Sequence, residues 1–160
     1  VIPKDDYLPK LKAAVEARKS KDFIIVARTD ARAPLGLDEA IERGKAYRKA
    51  GADVIFVEAP RSVQELKKVA NEIDAPLVAN MIEDGVTPNL TGQELLKLGY
   101  RIAVWPLSGL YSATYAMREV FSELKKTSYT RKTRKMMVTF KDFNEFVDLQ
   151  KYMNLEKRYS

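Results

Sequence analysis

Three polar residues stand where apolar runs end. Arg28 follows FIIVA, Glu58 follows VIFV and Asn80 follows PLVA, and each leads into a stretch that reads as a loop. Their types suggest a shared chemistry. Arginine offers a rigid fork of donors matched to a carboxylate or phosphate. Glutamate can shuttle a proton or hold a metal-bound water. Asparagine can donate and accept a hydrogen bond without charge. The chain has no histidine and no cysteine, so no disulfide, thiolate zinc site, Ser-His or Cys-His pair can be built from it alone. An oxygen-rich site of this kind suits a hard cation such as Mg²⁺ better than zinc. A plainer reading stays open: Arg28 and Glu58 form a structural ion pair between neighbouring strand ends, and Asp30 caps a loop.

The elements that would position these residues alternate. Residues 7–19 read as a helix, with Leu11, Ala14 and Val15 on one face. FIIVA (23–27) is a short β-branched run of the kind buried on both faces of a sheet. Residues 33–36 (APLG) read as a loop. Leu37 to Ala50 form a helix ended by Gly51. The cycle then repeats, with strands at 53–59, 76–82 and 101–107. Capping-box patterns at Ser62/Glu65 and Thr91/Glu94 open the helices between them. Such alternation with short connections gives parallel strands and right-handed crossovers. In parallel α/β folds chemistry gathers beyond the strands' C-terminal ends, where Arg28, Asp30, Glu58 and Asn80 fall. A longer helix spans about 110–126, a basic connection 125–135, and a last helix about 140–157.

The totals are those of one ordinary domain: 160 residues, 46% hydrophobic, with a formal charge of +6. The basic residues are mostly interspersed with acids, which fits solubility rather than a nucleic-acid face. The exception is KKTSYTRKTRK (125–135), with six basic residues and no acid. It reads as a solvated linker, with an anionic partner as the alternative. No run approaches the ~18 apolar residues of a membrane span, and no signal segment is visible. The expected location is cytoplasmic, with neither a membrane nor a specific nucleic acid as partner.

VARTDA (26–31), AIERGKAYRKAGADVIFVEA (40–59) and PLVANMIEDGVTP (76–88) together resemble the isocitrate lyase and phosphoenolpyruvate mutase superfamily. The nearest branch is that of 2-methylisocitrate lyase and carboxyphosphonoenolpyruvate mutase-like proteins, and the likeness covers roughly residues 1–125. It implies a (β/α)₈ barrel that binds Mg²⁺ and small 2-oxo or 2-hydroxy acids. Such enzymes break or form C–C or P–C bonds through an enolate. By resemblance, Arg28 grips the substrate carboxylate. Glu58 lies by the metal's water shell and the substrate. Asn80, with Met81 and Ile82, lines the carboxylate pocket. The family's metal carboxylates and its Lys-Lys-Cys-Gly-His gating loop lie upstream of these motifs and have no counterpart here. A barrel needs ~250 residues, so the expectation is the C-terminal half: strands five to eight in residues 1–126, then a basic linker and terminal helix in 127–160. No metal ligand is expected in this segment, save Glu58 through water.

Two departures bear on substrate. Methylisocitrate lyases usually carry an arginine after the Gly-Ala-Tyr that follows strand eight, where this chain has GLYSA with Ser112. A second arginine is replaced at Thr139-Phe140. A smaller dicarboxylate, a 2-oxo acid or a phosphonate is then as good a candidate as methylisocitrate. Alone, the chain is expected to be inactive. It is also expected to oligomerise, with the helix near 110–126 docking on a neighbouring subunit. The rival readings are a non-catalytic half-barrel assembly module, a sugar-phosphate barrel using PLSGLYS (106–112), and an anion or RNA binder through 125–135.

Overall fold

The computed structural model of the chain describes residues 1–159. It divides into two compact units, Val1–Ser108 and the segment from Gly109 onward. The first contains a four-stranded sheet in the order β1-β2-β3-β4, parallel throughout. The strands are β1 (Val26–Thr29), β2 (Val54–Val57), β3 (Leu77–Asn80) and β4 (Ile102–Val104). The unit's helices are α1 (Lys4–Ala17), α2 (Arg32–Leu35), α3 (Leu37–Lys49), α4 (Val63–Glu72) and α5 (Gly92–Leu98). The short α2 occupies the stretch expected to be a loop.

The two faces of the sheet differ. Side chains alternate along a strand, and one set, Ala27, Ile55, Leu77 and Ala79, is buried with Ile41, Tyr47, Leu66, Val69, Ile73 and Leu95 in a single core. α3 approaches β2 closely at Gly44, where a Cβ would come within 3.2 Å of Ile55 Cγ2. The other set carries Val26, Ile102 and Val104, all exposed. The strand expected to be buried on both faces is therefore covered on one only: β1 alternates exposed and buried, and Phe23 and Ile24 precede it in the open. The apolar run was a true strand signal, but no layer covers its second face within the described residues.

Local chemistry explains the helix ends. Thr91 and Glu94 make a full capping box at α5. Ser62 caps α4 through the Glu65 amide, but the Glu65 carboxylate turns instead to the Arg61 amide and to Arg32. After α3 the chain reverses at Gly51, whose φ of 106° suits glycine. A Cβ there would also press to 3.0 Å on Val15 of α1.

The second unit comprises most of α6 (Ser108–Thr127), a 3₁₀ segment at Arg131–Met136, α7 (Phe140–Phe146) and α8 (Leu149–Tyr159). The single last helix expected at 140–157 is broken at Asp148, which adopts φ 52°. Aromatic residues of these helices, among them Tyr115, Phe121, Phe140, Phe146 and Tyr152, are exposed.

Candidate active site at the C-terminal edge of the sheet

β1, β2 and β3 deliver their last open-face side chains to one place. The β1–β2 register sets Arg28 beside Phe56, and the guanidinium lies 4.9 Å above the Phe56 ring centroid, a distance at which the ring face attracts a cation. One step further along, the Glu58 amide donates to the Thr29 carbonyl at 3.0 Å. That bond extends the ladder and fixes where Glu58 emerges. Ala59 follows with φ 58°, a left-handed conformation costly for a residue with a Cβ, and Pro60 completes the turn away from the strand.

Arg28 Nη2 lies 3.3 Å from Glu58 Oε2, and Asn80 Nδ2 lies 3.3 Å from both Glu58 oxygens. Glu58 is thus held from two sides, with its side chain only 18% exposed. Arg28 is also gripped by Asp30: Nε donates to Oδ2 at 3.0 Å and Nη2 to Oδ1 at 2.8 Å. Hydrogen bonding to Asp30 raises the guanidinium's pKa, so Arg28 stays a cation at any working pH. The ion pair and the chemical grouping expected as alternatives are therefore both present: the pair exists, and it is part of the cluster.

Asn80 has one further feature. Its Oδ1 is buried and accepts no hydrogen bond. Turning the amide over would bring that oxygen against the Glu58 carboxylate, so Glu58 itself sets the orientation. A buried acceptor left unmade is costly.

The remaining candidates divide. Ile82 is half-buried in the turn after β3, where its carbonyl accepts from the Gly85 amide at 3.0 Å. Met81 is not brought to the mouth: it is fully buried in the core, and its sulfur lies 3.4 Å from the Leu90 amide. Asn80 belongs to the open face, so its neighbour turns to the helix-covered side. Sequence reasoning passed over Glu83. One carboxylate oxygen accepts the Ser108 hydroxyl, the other is buried without a partner, and the bond to Ser108 lowers its pKa. Neither MIEDGV (81–86) nor PLSGLYS (106–112) gives a local sign of this link between the β3 and β4 exits. Ser108, in the PLSGLYS segment, donates its hydroxyl to Glu83. Trp105 donates to Asn89 Oδ1 at 3.3 Å on the rim. Arg32 and Glu65 tie the β1 exit to the start of α4 through two hydrogen bonds, one of 2.9 Å.

No three His, Cys, Asp or Glu side chains among the described residues converge as a metal site. Asp30 and Glu58 both turn to Arg28. The residues present do not by themselves form a magnesium cage.

A parallel α/β sheet with a guanidinium, a carboxylate and an amide at its C-terminal mouth has polar groups where such folds carry their chemistry. The family described as phosphoenolpyruvate phosphomutase matches residues 1–125, and the chain belongs to that family. The 2,3-dimethylmalate lyase of Eubacterium barkeri is 43% identical over 160 residues, which are all of this chain and 55% of the relative. Among solved structures, oxaloacetate acetylhydrolase in complex with the inhibitor 3,3-difluorooxalacetate superposes with a TM-score of 0.89 at 31% identity, covering 99% of this chain and 54% of that one. Phosphonopyruvate hydrolase, in complex with oxalate and Mg²⁺, gives a TM-score of 0.83 at 27% identity, covering 99% and 57%. The chain spans about half the length of the proteins it matches. Its four strands and their helices correspond to half of the superfamily's (β/α)₈ barrel.

Proposed function

We propose that this chain carries half of the active site of a lyase or mutase acting on a small 2-oxo or 2-hydroxy carboxylic acid, with C–C or P–C bond cleavage or formation through an enolate. The observation that carries this reading is the convergence of Arg28, Glu58 and Asn80, with Asn80 Oδ1 buried and lacking a donor. The matched proteins act on or bind dimethylmalate, difluorooxalacetate and oxalate, by name. All are small acids with adjacent oxygen functions.

Each residue has a task that its geometry allows. Arg28 binds the substrate carboxylate by exchanging part of its grip on Asp30, since a bidentate carboxylate is the partner it already holds. Asn80 accepts a hydrogen bond from a substrate hydroxyl or from water. Glu58, within reach of both, holds or moves a proton at the substrate's oxygen. Mg²⁺, if bound, would supply Lewis-acid stabilisation of developing negative charge; Glu58 could reach it only through water, and its direct ligands would come from outside this chain. The remaining acid–base groups do so as well, so the isolated chain has no turnover.

The test is a titration of the purified chain with oxalate and malate, followed by NMR of the Arg28 Nε–H and Asn80 side-chain amide signals. Both signals should shift. Arg28→Lys should weaken binding about tenfold, the effect of losing one bidentate charge-assisted bond. Silent signals, or unchanged binding in Arg28→Lys, would overturn the reading. So would cleavage of dimethylmalate by the chain alone with Mg²⁺.

A further inference from the structure

Arg28 already holds a carboxylate, and it is the chain's own. Residues two apart on an extended chain share a face, so the chain leaving β1 brings Asp30 out on Arg28's side. Thr29 between them is buried, and its hydroxyl accepts the Ala31 amide at 3.2 Å, which pins the exit. Arg28 Nε and Nη2 donate to the two Asp30 oxygens at 3.0 and 2.8 Å. That is the paired geometry an arginine makes with a bound acid.

The two carboxylates on Arg28 are not equally free to leave. Glu58 is largely buried and also receives Asn80 Nδ2. Asp30 is 52% exposed, and among the described residues its carboxylate takes hydrogen bonds from Arg28 alone. An exposed pair of this kind gains little over water, so Asp30 is the partner that yields. Arg28 has other anchors when it does: the Phe56 ring beneath it and Glu58 beside it.

We propose that Asp30 is an internal competitor for the substrate carboxylate, occupying the Arg28 fork in the empty site and withdrawing from it as an acid binds. This rests on the reading of Arg28 as the seat of that carboxylate. It gives Asp30 the opposite sign to a residue that positions Arg28: loss of a positioning group weakens binding, whereas loss of a competitor strengthens it. Asp30 also filters ligands. A carboxylate replaces the charge-assisted bonds that Arg28 gives up, and a neutral acceptor does not. A site masked by a closed pair loses affinity in proportion to the fraction it leaves open. For an exposed pair that is up to about fivefold.

The test is titration of the purified chain and its variants with malate and oxalate, with exchange of the Arg28 Nε–H with water as a ligand-free readout. Asp30→Asn should bind both acids about fivefold more tightly, and its Nε–H should exchange faster than the parent's. Asp30→Ala, which shares with it only the loss of the carboxylate, should show the same gain. Asp84→Asn makes the same charge change at an exposed residue beyond β3, where φ of 58° suits asparagine; its binding should match the parent's. Binding to the parent with no gain, or with a loss, in both Asp30 variants overturns this inference alone. So does an equal gain in Asp84→Asn, which would assign the effect to net charge, or an Nε–H that exchanges equally fast in parent and Asp30→Asn. Binding by neither parent nor variants overturns the reading of the site as well.

Discussion

Replacing Gly44 by alanine tests how tightly α3 is fixed on β2, and so how firmly Glu58 is placed at the end of that strand. A Cβ at Gly44 would lie 2.5 Å from Ile73 Cδ1 and 3.2 Å from Ile55 Cγ2. Carbon atoms rest at about 3.5–4.0 Å, so the first contact is short by about 1 Å. Both isoleucines are buried and unable to swing into solvent. Alanine gains about 1 kcal/mol of helix propensity, while overpacking costs about 1–3 kcal/mol. Gly44→Ala should therefore destabilise by up to about 2 kcal/mol. Ile73→Val removes Cδ1, the atom nearest the new methyl, and alone should cost about 0.5–1.5 kcal/mol. In the double variant the new methyl meets no Cδ1 and fills part of the space it leaves, so the two losses should fall short of their sum by about 1 kcal/mol. Urea unfolding followed by circular dichroism gives all four stabilities. Strict additivity, or a Gly44→Ala variant more stable than its parent, would refute the packing argument.

Two shorter predictions concern the frame of the site. Ala59→Gly relieves the left-handed strain at φ 58° and should stabilise by about 0.5–1 kcal/mol after the entropy of the freer unfolded chain is subtracted; the same urea assay shows it, and a loss of stability would mean the backbone is not strained there. Glu65's carboxyl is held below its ordinary value, first by hydrogen bonding from Arg32 and further by the Arg61 amide. A depressed pKa contributes stability that is complete above the unfolded value of 4.5 and is lost as pH falls through the lower folded one. Glu65→Gln should therefore lower stability at neutral pH and flatten its fall below about pH 4.5; an unchanged acid limb would contradict the Arg32–Glu65 contact.

The strands, their order and three of the mouth residues were legible because each carries a local signal. An apolar run that stops at a polar residue marks a strand end, and repetition at that spacing marks a parallel sheet. What was not legible depends on which faces other elements cover. FIIVA has the composition of a strand buried twice, but Val26 and Ile24 are open because coverage belongs to the rest of the fold. Met81 was grouped with Asn80 by resemblance, whereas alternation separates them and sends Met81 into the core. The break at Asp148 lies inside an unbroken apolar periodicity from Phe143 to Tyr152. A single left-handed residue leaves no mark on such a pattern. Glu83 meets Ser108 across 25 positions, a pairing no local motif encodes.

The orientation of Asn80 carries a last consequence for what the mouth selects. Glu58 accepts from Asn80 Nδ2, so Oδ1 must face away from the carboxylate, where it is buried with no donor. A ligand that brings a hydroxyl to this oxygen recovers the cost of the unmade bond, about 1–3 kcal/mol. A ligand that brings a carbonyl cannot, and it sets two acceptors against each other. With Arg28 taking the carboxylate, a 2-hydroxy acid satisfies both groups, whereas the matching 2-oxo acid satisfies one. The chain should therefore bind malate about fivefold more tightly than oxaloacetate, the lower end of that range converted to affinity. Removing the acceptor in Asn80→Ala should abolish the difference, while both acids still bind through Arg28. Equal binding to the parent chain, or a preference that survives Asn80→Ala, would show that the buried oxygen plays no part in selection.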